Sequence, residues 1–468
     1  MRARPLLLVA VLAGAGAAVL APADADAGPK RALAVPVVNA DAARKTPAVD
    51  LVVRYGPALP IAALEFSPDG RTLAVGGYGE VALWDLAAPR LRRRIGAGRL
   101  DGMVHAVAFV DGGKVLAVGD GRPGRPGRVA FFSAADGKMT AERTDPEGPV
   151  RCLAVSPDGQ LLAAGSEDGR CYLWNPRTRK PVTTIDRHTD RVLGVAFSGD
   201  GKRMATCGSD RTLRIWEVGS WKPILRYDLK DEAHAAALSP DGKMAFAAVA
   251  GPQERTVSVA YVDADIKRGP RRKPRPRDAW TGAAMPLDVC WPPDGRYILV
   301  ACHNHRVLAY QTNRRIARTF HGHTDWVYAV AATADGKHVA SAGADGTVRL
   351  WDGASGKRRA TLVHLAPGTD GWVALTPAGH YAASGPDAVT WRTRGQGNAP
   401  KDLAATYHKP GLVAKAIGLA PPKPPPKKED ATPKPKPQPK KEEAKPKPKP
   451  QPKKEEAKPK SKPEPNAT

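Results

Sequence analysis

Residues 327–351 read VYAVAATADGKHVASAGADGTVRLW. Val327 to Thr333 has the alternation of a half-buried strand. Ala334-Asp335-Gly336 is a tight turn whose Gly supplies a positive φ at no steric cost. His338 to Ala342 is a strand of small residues, suited to a crowded layer between sheets. Ala344-Asp345-Gly346 is a second hairpin turn, and Thr347 to Trp351 a third strand ending in a large aromatic. Lys357 to Val363 adds a fourth, outer strand whose basic residues discourage edge-to-edge pairing. One stretch of chain therefore encodes one four-stranded antiparallel sheet.

The unit repeats. Turns ending at Gly70, Gly113, Gly159, Gly201, Gly242, Gly295, Gly336 and Gly379 are followed, 12 to 19 residues on, by Trp84, Phe132, Trp174, Trp216, Tyr261, Tyr310, Trp351 and Trp391. Successive aromatics lie 40 to 49 residues apart, the length of one such sheet. Repeats of this size close into a ring and bury their faces against their neighbours.

Trp84-Asp85, Trp351-Asp352 and the pair Gly322-His323 make the chain resemble a WD-repeat β-propeller of the exported bacterial type with a Lys/Pro-rich tail. The resemblance implies an all-β fold and a buried hydrogen-bond set in two repeats. One set is His323, Ser341, Asp345 and Trp351; the other is His188, Thr206, Asp210 and Trp216. In the family, His bonds the Asp and the hydroxyl, and the hydroxyl bonds the indole, which is a structural role. The third repeat keeps Asp168 and Trp174 but has Ala164 at the hydroxyl position.

The repeat count favours eight blades. Val49 to Arg54 is a lone strand that pairs with the last repeat, 372–391, to close the ring; seven blades with the terminal repeat packed outside is the alternative. The expected organisation is a signal peptide at 1–27, a linker at 28–47, the propeller at 48–396, a short helical cap at 397–420 and a disordered tail at 421–468. Arg2 and Arg4, the apolar run Leu6 to Ala21 and Ala25-Asp26-Ala27 fit an export signal, with Ala23-Asp24-Ala25 a second cleavage option. Pro410 suits a first helical turn and Gly418 a stop.

The net charge of +25 points to anionic partners. The tail is built of Lys, Pro, Glu, Ala and Gln, with KPKPQPKKEEAKP repeated at 434–446 and 447–459; it cannot bury a core. Two loops are also basic. One carries Lys267, Arg268, Arg271, Arg272, Lys273, Arg275 and Arg277; the other carries Arg122, Arg125 and Arg128. The resemblance implies that both mark one face of the ring, as candidate contacts to an anionic partner. Pro and Arg without interleaved aromatics suit phosphate or carboxylate contact better than base stacking.

No set of residues carries a recognisable reaction. Cys302-His303-Asn304-His305 reads as a hairpin turn rather than a metal site, with no acidic ligand nearby in sequence. The five cysteines fall inside strands and show no metal or redox spacing. The expectation is a monomeric, non-catalytic binding scaffold exported to the periplasm or cell envelope, with no metal and no cofactor. Its loop face would meet a protein or an anionic polymer or lipid surface. The alternatives are a propeller enzyme or redox protein with a site in the central channel, and a nucleic-acid-binding protein if the signal is not one.

Overall fold

The Gly-terminated turns are closed by their own side chains. Thr333 Oγ1 donates to Asp335 Oδ1 (2.7 Å), while the amides of Lys337 and His338 donate to Asp335 Oδ1 and Thr333 Oγ1 (3.1 Å each). Gly336 reverses the chain at φ +65°. The same hydroxyl–carboxylate clasp recurs at Ser67/Asp69, Ser156/Asp158, Ser198/Asp200 and Ser239/Asp241. This local chemistry sets the first hairpin of five sheets.

A computed structural model describes residues 31–37, 48–56, 59–250, 255–263, 277–281, 284–311, 315–366, 369–394 and 403–419. The expected signal peptide and Lys/Pro-rich tail, and Lys267 to Arg275, lie outside the described residues. Seven antiparallel four-stranded sheets span 63–95, 106–143, 150–186, 192–228, 233–281, 286–321 and 327–364, blades 1 to 7. Their inner strands neighbour one another in order, and Val327–Ala332 of blade 7 lies against Ala63–Phe66 of blade 1. Seven apolar clusters fill the seven junctions. At each indole-bearing junction the Trp packs against the preceding blade, and Trp84 of blade 1 does so against blade 7.

The expectation of eight blades is thus corrected to seven. The terminal repeat is the displaced one. Trp372–Leu375 and Tyr381–Ala383 extend the outer edge of blade 7 to six strands. Thr390–Arg394 leaves that sheet and pairs with Ala48–Tyr55, Leu51 opposite Trp391, while Arg31–Val37 completes a separate three-stranded sheet. The N-terminal strand therefore meets the last repeat as expected, but outside the ring, and does not close it. The reason is local. Arg358–His364 follows Trp351 through a turn at Gly356 (φ +73°) and fills the outer edge of blade 7, where a strand from the far end of the chain must pay a larger loop-closure entropy.

Two helices follow, α1 (Leu403–Tyr407) and α2 (Pro410–Ile417). Pro410 occupies the first turn of α2, where a missing N–H costs nothing, and Gly418 ends it at φ +80°. Val413 and Ile417 of α2 enter the cluster between blades 7 and 1. No helix among the described residues is long and apolar enough to cross a membrane.

Candidate partner-binding face

The two complete hydrogen-bond sets are assembled alike. His323 Nδ1 meets Asp345 Oδ2 at 2.9 Å and its Nε2 meets Ser341 Oγ at 2.8 Å; Trp351 Nε1 donates to Ser341 Oγ at 2.8 Å. His188, Asp210, Thr206 and Trp216 repeat this at 2.9, 2.7 and 2.9 Å. Ser341 takes the indole proton and gives its own to Nε2, which places the imidazole proton on Nδ1, facing the carboxylate. Burial holds His323 below its ordinary value, so it stays neutral. The four members of each set are linked in one chain of hydrogen bonds, and the arrangement ties the loop entering the inner strand to the second and third strands.

Each set is larger than its four family positions. Thr347 and Thr212 donate to the same Asp through Oγ1 (2.8 Å each), and Arg349 and Arg214 lie 3.7 and 3.5 Å from it. The spacing Asp-x-Thr-x-Arg-x-Trp is visible in both repeats and was the signal to use. Repeats that lack the hydroxyl satisfy their indole elsewhere. Trp174 donates to Asp145 (2.9 Å), and the Tyr172 hydroxyl donates to Asp168 (2.8 Å). Trp84 donates to His364 Nε2 of blade 7 (2.7 Å), across the junction that closes the ring.

Antiparallel alternation places the loops entering each inner strand, and those between second and third strands, at one mouth of the ring. The Arg122/Arg125/Arg128 loop lies there, between Val115–Asp120 and Arg128–Ser133. The other basic segment is bracketed by Arg255–Tyr261 and Arg277–Thr281, the third and fourth strands of blade 5, whose joined ends lie at the opposite mouth. The strands that bracket it thus join at the other end of their sheet, because one further strand reverses the direction. Arg277 begins a strand; the cations before it lie outside the described residues. Arg128 is turned inward onto buried Asp120 (Nη2–Oδ2 2.9 Å), and Arg122 pairs with Asp101; Arg125 is exposed.

Five inner strands carry a bulge at their second residue, at this same mouth. The extra residues are Arg151, Leu193, His234, Leu287 and Tyr328. A bulge re-aims its side chain, and all five are partly exposed. Together they form a collar around the mouth. His105 contacts Arg151, whose Nε donates to Glu167 (2.6 Å). Burial lowers His105 and His234, and both feel the Arg151 charge, so this half of the collar is held neutral except for the Arg151–Glu167 pair. The other half is aromatic: Trp326 stands edge-on to Tyr328 (6.3 Å) and to His303 (6.1 Å). Sequence reading missed the collar because a bulge is a property of strand register.

The WD domain, G-beta repeat family profile matches residues 51–85, 137–175, 179–217 and 314–352. Each match ends on a third strand that closes with an indole: Trp84, Trp174, Trp216 or Trp351. Four of the seven blades thus carry the WD-repeat pattern, on a seven-bladed β-propeller. It is 24% identical over 187 residues to the Protein groucho of Drosophila melanogaster, a stretch covering 39% of this chain and 25% of that protein. The chain thus matches about a quarter of that relative's length.

The propeller channel holds two carboxylates. Glu65 stands on the inner strand of blade 1 and Asp288 on that of blade 6. Such a pair is what the enzyme alternative would need. Asp288, however, accepts the amides of Val289 (2.8 Å) and of Val330 in blade 7 (2.9 Å), clipping two blades together. Burial pushes the Cys290 thiol up to about 12, far from a reactive thiolate. Among the described residues no group of three or more His, Cys, Asp or Glu is placed to hold a metal ion.

Burial, with the Asp288 charge adding to it, raises Glu65 to about 8, and burial raises Asp288 to about 6. A carboxyl raised in the folded state binds its proton more tightly there than when unfolded. Its ionisation therefore costs stability as pH climbs from the unfolded value of about 4.3 to about 8, and the cost is then constant. Glu65→Gln removes this dependence. Since Glu65 is only partly buried, the expected gain at pH 9 is about 1–3 kcal/mol, with little change at pH 4. Urea unfolding midpoints at the two pH values measure it; equal gains at both would refute the assignment.

Proposed function

We propose that this protein is a non-catalytic scaffold of the cell envelope that binds a protein partner on the collar mouth of the propeller. The observation that carries this reading is the collar itself. Aromatic and aliphatic side chains and a neutralised Arg–Glu pair surround one mouth, a composition suited to a protein surface with apolar anchors. Relatedness to WD-repeat propellers, which are protein-interaction scaffolds, supports it. The net charge of +25 favours a second contribution, attraction to an anionic envelope polymer through the Lys-rich tail and basic segments. At the collar mouth that contribution is small, because Arg122 and Arg128 are already paired.

The test is capture from envelope extract with the full chain, its Trp326→Ala/Tyr328→Ala variant and a chain lacking 421–468. The double variant is expected to lose at least tenfold of the captured partner with the fold intact. The tail deletion should lower only the salt-sensitive retention on anionic vesicles. Undiminished capture by the double variant rejects the collar. Sequencing the N-terminus of protein from its own cells is expected to find Asp26 or Gly28 first; an intact Met1 in the cytoplasmic fraction rejects export.

A further inference from the structure

The residue after the first turn glycine is a cation in six of the seven blades. Arg71, Lys114, Lys202, Lys243, Arg296 and Lys337 are all exposed; blade 3 has Gln160 instead. These turns join first and second strands, so the six cations ring the mouth opposite the collar. A wider ring follows where the chain enters the fourth strands, at exposed Arg90, Lys180, Lys222 and Lys357. The turn carboxylates offset only part of this charge. Their Oδ1 atoms accept from the turn's own groups, and Oδ2 faces a ring cation at Asp241, Asp294 and Asp335 (3.5, 3.9 and 3.0 Å). Arg71, Lys114 and Lys202 form no ion pair among the described residues. At the collar mouth, by contrast, Arg122, Arg128, Arg151, Arg170 and Arg191 are each ion-paired. The basic mouth also carries apolar side chains. Ile316 (56% exposed), Val182 (46%) and Leu412 (43%) are the exposed large hydrophobic residues among the described ones. Val182 and Ile316 lie at the starts of the fourth strands of blades 3 and 6. Leu412 stands on α2, whose end is held at this mouth by Arg359 Nη1 on the Ile417 carbonyl (2.8 Å). The described chain ends beside that contact, ahead of 421–468 with its 15 Lys and 7 acidic residues.

We infer that this mouth is a docking face for an anionic lipid bilayer, with the cation rings over the headgroups and Val182, Ile316 and Leu412 entering the interface. The combination selects the partner. A linear polyanion uses cations alone, whereas a bilayer surface favours cations and exposed apolar side chains together. The placing fits a plane as well. The three apolar residues stand on blade 3, on blade 6 and on the helix packed at the junction of blades 7 and 1, so a flat surface can rest on all three points of the rim. Three isolated aliphatic side chains bury little area, so the charges must contribute and the binding should be salt-sensitive. The inference rests on the anionic-partner part of the proposed function. It assigns this mouth to lipid and leaves the collar, on the far side of the ring, to the protein partner.

The probe is a phosphatidylcholine vesicle containing phosphatidylglycerol, sedimented with the full chain; inorganic polyphosphate is the comparison. Binding to the vesicle is expected at about 0.1 M salt, falling at least tenfold by about 0.5 M. Arg71→Glu/Lys114→Glu/Lys202→Glu should weaken it at least tenfold, since each cation near such a surface contributes about fivefold. Arg99→Glu/Arg187→Glu/Arg306→Glu makes the same change in net charge at the collar mouth. It should shift binding less than about threefold, because a strand's length exceeds the Debye length of about 10 Å. Val182→Ser/Ile316→Ser/Leu412→Ser keeps every charge and should weaken binding at least about fivefold, with an unchanged urea midpoint because all three residues are exposed. Equal losses in the two charge variants, or full binding by the serine variant, would overturn the docking face. Retention on polyphosphate but not on vesicles would overturn the lipid assignment and leave the anionic-partner reading standing. A full chain that binds neither refutes both.

Discussion

Asp345→Asn is expected to lower the unfolding free energy by about 3–5 kcal/mol, the range for removing one partner from a buried charge pair. Asp345 is 1% exposed and its two oxygens serve five groups. Oδ2 takes His323 Nδ1 (2.9 Å) and the Thr324 amide (3.1 Å); Oδ1 takes the Thr347 amide (3.0 Å) and hydroxyl (2.8 Å); Arg349 lies 3.7 Å away. Arg349 is equally buried, and its Nε and Nη1 have no hydrogen-bond partner. An asparagine preserves the shape but leaves that guanidinium with no counter-charge. Arg349→Met in the same background should return part of the loss, since it removes the stranded cation. The double variant is therefore the decisive comparison, read by urea unfolding with tryptophan fluorescence. A loss below about 1 kcal/mol would show the pair to be solvated.

The same carboxylates set the acid limit. Burial works to raise Asp345 and Asp210, but hydrogen bonds donated by the His partner and by Thr347 or Thr212 outweigh it, holding Asp210 at about 2 and Asp345 lower still. Their folded values lie below the unfolded value of about 3.9, so their contribution is complete above that pH and disappears as pH falls towards 2. In Asp345→Asn the acid-dependent loss between pH 4 and 2 should be shallower, because one of the two titrating groups is gone.

Trp84→Ala should cost about 3–5 kcal/mol, as for other buried aromatic truncations, and should open the ring at one place. Trp84 is fully buried, stacked on His364 (5.2 Å), edge-on to Trp372 (5.7 Å), and bonded to His364 Nε2. It lies in the cluster that joins blade 7, blade 1 and α2. No strand is shared between the two blades at this junction; side-chain packing closes it, with the Trp84–His364 hydrogen bond and one backbone bond from the Ile61 amide to the Gly343 carbonyl (3.2 Å). Hydrogen exchange should accordingly lose protection first in blades 1 and 7, before blades 3 and 4; uniform loss around the ring would contradict this. Trp84→Phe separates the polar part. It keeps most of the packing but leaves the half-buried His364 Nε2 without its donor, at an expected cost of about 1–2 kcal/mol. His364 cannot compensate by taking a proton, since burial and the Arg94 charge lower it to about 3.

What the chain declares on its own is local. The Ser/Thr–x–Asp–Gly turns, the hairpin at Asp345-Gly346, the outer strand at 357–363 and the Asp-to-Trp spacing are contained within about 40 residues, and nearest-neighbour chemistry decides them. The two hydrogen-bond sets were legible for the same reason: all four positions fall within one repeat. Tertiary structure decided everything that depends on which distant strand wins an edge. Blade 7 took its outer strand from the adjacent hairpin, which left Ala48–Tyr55 to pair with Thr390–Arg394 outside the ring and made the count seven. It also decided that Trp84 finds its acceptor on His364, that bulged residues form the collar, and that a pocket lined by Arg94 sits where the ends of the ring meet. Those outcomes follow from closure, register and strand direction, which couple residues hundreds of positions apart and leave no mark in any single repeat.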